Sequence, residues 1–80
     1  MKRIEQEWES YRRRIIPFGA STTQIVETRR AFYGGVASLM GLLLKQLDPG
    51  EEPTEKDLKM MDELQAELEE FLEEVKAGRG

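Results

Sequence analysis

Arg29 and Tyr33 stand four residues apart in the run Gln24-Ile25-Val26-Glu27-Thr28-Arg29-Arg30-Ala31-Phe32-Tyr33. On a helix that spacing puts a guanidinium and a phenol on one face. An arginine fork holds phosphate by paired hydrogen bonds, and its plane stacks on flat rings. Thr28 adds a hydroxyl, Arg30 a second cation, and Tyr11 a second phenol from earlier in the chain. Thr28, Arg29, Arg30, Tyr33 and Tyr11 are therefore the candidate ligand-binding residues, and the chemistry is recognition of a small anion that carries a base. Each has a plainer reading. Glu27 and Arg30 are three apart and can pair on the surface. Trp8 and Tyr11 fit a packed core as well as a stacking platform. Arg12, Arg13 and Arg14 point in three directions, so one or two at most line any single site.

Catalytic chemistry is hard to assemble from this composition. The chain has no histidine and no cysteine, which removes the commonest acid–base and thiol machinery. It carries no phosphate-binding glycine loop, no dinucleotide fingerprint and no nucleophile elbow. Glu63/Glu67 and Glu70/Glu74 have a spacing that could grip a divalent ion. Carboxylate-bundle enzymes, however, add Glu-x-x-His, which is absent. The reading is no enzyme, no cofactor and no metal, with the acids forming a solvated face.

These residues sit on three expected helices, over about 2–16, 21–47 and 54–77. In the first, Ile4, Trp8, Tyr11 and Ile15 make one apolar stripe, and Pro17 ends it. Phe18 is expected to tuck inside beside Gly19. The second opens on a Ser21/Gln24 capping box and stops at Asp48-Pro49-Gly50. One stripe along it is Ile25, Phe32, Val36, Leu39, Leu43 and Leu47, and another is Val26, Tyr33, Ala37, Met40 and Leu44. Its third face is small: Ala31, Gly34, Gly35, Ser38 and Gly41. A glycine inside a helix costs about 1 kcal/mol against alanine. Close helix–helix contact, or space for a ligand beside Arg29 and Tyr33, would offset it. The third helix starts at Thr54 with Asp57 in a capping box and runs to Gly78. Met61, Leu64, Leu68, Phe71 and Val75 mark a heptad seam, widened by Leu58 and Leu72. The tail Arg79-Gly80 is expected to be loose.

The fold class is thus all-α: a short N-terminal helix followed by a long antiparallel helical hairpin, in one domain of 80 residues. A domain this small buries about 60% of its unfolded surface and is marginal alone. The second helix is apolar on nearly all sides, so a homo-oligomer is expected. Residues 1–50 hold eight Lys/Arg against five Asp/Glu, net +3, and residues 51–80 hold four against eleven, net −7. The two parts are electrostatically complementary. Overall acidity argues against nucleic-acid backbones as partners. The start Met1-Lys2-Arg3-Ile4-Glu5 is no signal peptide. The uncharged run Ala31–Leu44 falls short of the ~20 residues of a membrane span. The expected location is cytoplasmic, without a membrane partner.

The stretch from Gln24 to Gly35, followed by Glu52-Pro53-Thr54-Glu55, resembles small uncharacterised helical proteins of tailed phages and prophages. Gln-x2-Glu-Thr-x-Arg on a helix, an apolar helix body, a Pro-bounded turn and a second helix are also similar to the hairpin of phage anti-CBASS and anti-Thoeris sponges. The third helix departs from that family, being far more acidic and lacking its Asn/Arg-bearing end. The resemblance implies a phage-encoded anti-defence protein in the cytoplasm of a bacterial host. It would sequester a cyclic nucleotide or ADP-ribose-type signal in an oligomer without cleaving it. The alternative is a helical homo-oligomeric interaction module with no small ligand. Its acidic helix would dock on a host or phage protein or mimic nucleic acid. A DNA-binding protein proper comes third.

Overall fold

In a computed structural model, which describes residues 1–47, 49, 50 and 52–80, the chain is all-α: α1 (Arg3–Ile15), α2 (Thr22–Gln46) and α3 (Glu55–Lys76). The expected stop at Asp48 and the acidic Glu51 lie outside the described residues. Two compact units divide the chain, Met1–Leu42 and Leu43–Gly80, with the boundary inside α2.

In the first unit α1 and the front of α2 run antiparallel, joined by a short connector. The N-terminal end of α1 lies beside Arg29 and Tyr33, and its C-terminal end lies beside Thr23 to Thr28. Trp8 is the centre, with 2% of its surface exposed, the one buried apolar side chain among the described residues. Its ring meets Tyr11 at 6.1 Å and Phe32 at 5.5 Å. Tyr11 meets Phe32 at 5.3 Å, and Phe32 meets Tyr33 edge-on at 6.0 Å. Offset and edge contacts of this kind add to the burial of each ring.

The start of α2 is fixed locally. Ser21 N–H donates to Gln24 Oε1 at 2.9 Å, and Gln24 N–H donates to Ser21 Oγ at 3.1 Å. The connector departs from expectation at Phe18, which is fully exposed rather than tucked inside. Ala20 N–H closes onto Pro17 O at 3.1 Å, and Gly19 takes φ +94°. That tight turn leaves its tip, Phe18, no path back to the core.

In the second unit Thr54 caps α3. Its hydroxyl accepts from Asp57 N–H, and the Asp57 carboxylate accepts from Thr54 N–H, both at 3.1 Å. Asp57 is buried, and these bonds account for a carboxylate held there. Gly78 ends the helix region at φ +80°, a conformation that suits glycine. The tail beyond it folds back rather than hanging free: Arg79 and Gly80 N–H both donate to Glu74 O, at 2.8 and 3.2 Å. These bonds satisfy a carbonyl left open by the end of the helix.

The glycines of the small face of α2 border open space. A Cβ placed on Gly34, Gly35 or Gly41 would find no atom within 4 Å. Among the described residues of the first unit, close helix–helix contact, one expected reason for these glycines, does not account for them.

Candidate ligand-binding site

Four of the five candidate residues divide between two open grooves of the first unit. Arg29 and Tyr33 share one face of α2, as their spacing requires, with the guanidinium carbon 4.8 Å from the centre of the Tyr33 ring. A cation over an aromatic face is attracted by the ring's quadrupole, by about 0.5–1 kcal/mol at an exposed site. Both line an open groove of about 550 Å³ with Met1, Lys2, Arg3, Ile4 and Glu5. That size falls among small-molecule sites, roughly 300–1,000 Å³. Lys2, Arg3 and Arg29 make its lining basic. The single acid, Glu5, reaches Lys2 at 4.0 Å, an exposed pair that holds Lys2 weakly.

Thr28 and Tyr11 line a second open groove, of about 500 Å³, with Ile15, Ile16, Pro17, Thr23, Gln24 and Glu27. Its charged member is acidic, so it suits an anion less well. Arg30 lines neither groove. Its guanidinium meets Glu27 Oε1 at 3.3 Å in an exposed ion pair, the surface pairing that the i,i+3 spacing allows.

Lys2 and Arg3 belong to the basic groove and were not among the candidates. A signal for them existed. A short connector makes α1 return antiparallel along α2, which carries the first residues of α1 to the level of Tyr33. A third groove, of about 690 Å³, lies at the α1–α2 connector with Arg12, Arg13 and the exposed Phe18 on its wall. No group of three or more metal-binding side chains occurs among the described residues, and none of their helices is long and apolar enough to cross a membrane.

No family model matches the chain, and no curated protein or solved structure matches it either.

Proposed function

We propose that the chain is a non-enzymatic binder of a small anionic, nucleotide-type ligand, which it holds rather than converts. The observation that carries this reading is the Arg29–Tyr33 pair at the basic groove, with Lys2 and Arg3 beside it. Arg29, Lys2 and Arg3 engage phosphate, and the flat guanidinium of Arg29 and the ring of Tyr33 are groups on which a base stacks. Thr28 and Tyr11, in the second groove, contribute only to a ligand long enough to span both. Arg30 is engaged by Glu27 and plays the lesser part. In the same reading α2 and α3 form an antiparallel hairpin and the chain works as a homo-oligomer. The setting, a phage protein sequestering a cyclic nucleotide or ADP-ribose-type immune signal in the bacterial cytoplasm, rests on the resemblance to sponge proteins.

The test is native mass spectrometry of the purified chain with a panel of cyclic nucleotides and ADP-ribose isomers. We expect one anionic nucleotide to be retained at fixed stoichiometry. Arg29→Ala with Arg30→Ala should abolish that retention while helicity and oligomer mass stay unchanged. Retention equal to that of the unsubstituted chain would overturn the reading.

A second reading, an interaction module without a small ligand, is favoured by the apolar side chains left uncovered on α3. Its acidic face would dock on a host or phage protein. Glu63→Gln, Glu67→Gln, Glu70→Gln and Glu74→Gln together should then remove a captured partner, and full capture would exclude it.

A further inference from the structure

The apolar side chains of α3 that stay exposed do not fall at random. Leu58, Met61, Leu68, Leu72 and Val75 are 53, 48, 64, 51 and 48% exposed, and Phe71 beside them is 54% exposed. With Gln65 in the middle they step along the helix by 3, 4, 3, 4 and 3 residues, the spacing of a two-helix seam. Leu64, which the sequence pattern places on the seam, is more covered than these residues. The uncovered face is therefore rotated toward Leu58 and Leu72.

We infer that this face is a self-association surface, occupied by α3 of a second copy in parallel register. Three observations select that occupant. The first is Gln65, a single polar residue at the centre of an otherwise apolar seam. A lone polar residue at such a position fixes register and partner number. Within its own helix Gln65 Nε2 donates to Glu69 Oε1 at 3.2 Å; opposite its own copy, its second amide hydrogen and its carbonyl oxygen pair with the other Gln65. In an antiparallel pair it would face Leu68 instead, which offers its carbonyl oxygen no donor.

Charge is the second. Parallel pairing sets Phe71 beside Lys76 of the other copy and Leu64 beside its Glu69. Antiparallel pairing sets Asp62 against Glu69 twice along one edge, and like charges facing each other there destabilise. Asp57, which a parallel pair would bring toward Asp62, is buried and bound to the backbone of Thr54.

Area is the third. Half-exposed side chains of this size present roughly 100 Å² each, so six on each of two copies bring the covered surface to about the 1,000 Å² that a specific interface needs. This inference supplies an interface for the oligomer of the proposed function but does not rest on ligand binding.

The chain has no cysteine, so a single introduced thiol reports what lies opposite it. Gln65→Cys in the full chain should oxidise to a covalent dimer, whereas Glu63→Cys, on the far face of α3, should stay monomeric on a denaturing gel. Equal cross-linking in the two variants would overturn the inference. Sedimentation equilibrium supplies a second measurement. Leu68→Asp, already an exposed position, should shift the dimer to monomer and keep helicity. A monomeric unsubstituted chain at tens of micromolar, or a dimer untouched by Leu68→Asp, would equally overturn it. Nucleotide retention measured on Leu68→Asp keeps the two ideas apart, since loss of dimer with retained ligand supports this interface and leaves the groove intact.

Discussion

Two arginines adjacent in sequence face different neighbours, and that contrast yields the sharpest residue-scale prediction. Arg29 lies over Tyr33 at the basic groove, whereas Arg30 is held by Glu27. Arg29→Ala should therefore weaken nucleotide binding tenfold or more, about 1.4 kcal/mol, and Arg30→Ala by far less. Titration calorimetry of the two single variants separates them, and equal losses would remove the distinction. Arg29→Lys should recover only part of the loss, because it keeps the charge but not the planar fork. Helical spacing made the Arg29–Tyr33 pair readable from the sequence, because i,i+4 geometry is local. Lys2 and Arg3 were harder to read, because their place depends on how α1 returns along α2. Trp8 is the other decisive residue. It is the one buried apolar side chain among the described residues, and emptying such a site costs about 3–5 kcal/mol. Trp8→Ala should lower the thermal midpoint by more than 10 °C and reduce far-UV helicity, since α1 then has little else to hold it. A melt shifted by a degree or two would mean that the aromatic cluster contributes little.

Three of the helix ends were legible because each is decided within four residues. Ser21 and Gln24 bond each other's backbone, as do Thr54 and Asp57, and Gly78 adopts the left-handed turn. Phe18 was not legible, since its exposure follows from the turn closed by Pro17 and Ala20 rather than from its own apolarity. The same local reasoning gives two element-scale predictions. Thr54→Ala should cost about 1 kcal/mol through loss of the cap. In a domain of this size that is about 4–8 °C in a melt, and an unchanged midpoint would show that the cap is redundant. Gly34→Ala and Gly41→Ala have the opposite sign. With open space at both positions, alanine should stabilise α2 by up to about 1 kcal/mol each. Should either substitution lower the melting temperature instead, something outside the chain packs against that face, and glycine is what allows it to approach.

At the scale of the whole molecule, one buried apolar ring among the described residues is a thin core. Net stabilities are small differences between large terms, so a chain like this gains from anything that covers its apolar faces. Association makes stability depend on concentration. The melting temperature should therefore rise as the protein is concentrated, and Leu68→Asp should flatten that rise. The two surfaces argued above also respond to salt with opposite signs. A nucleotide held by Lys2, Arg3 and Arg29 is bound through unlike charges, so added salt weakens it. Pairing of α3 with its own copy brings together helices that each carry nine Asp/Glu and three Lys. Going from 0.01 M to 1 M salt shortens the screening length from about 30 Å to about 3 Å, which relieves that repulsion. The dimer fraction measured by sedimentation should thus increase with salt while nucleotide affinity falls in the same titration. If the dimer instead dissociates as salt is added, unlike charges hold it together. Its interface would then join the acidic α3 to the basic front part of another copy rather than α3 to α3.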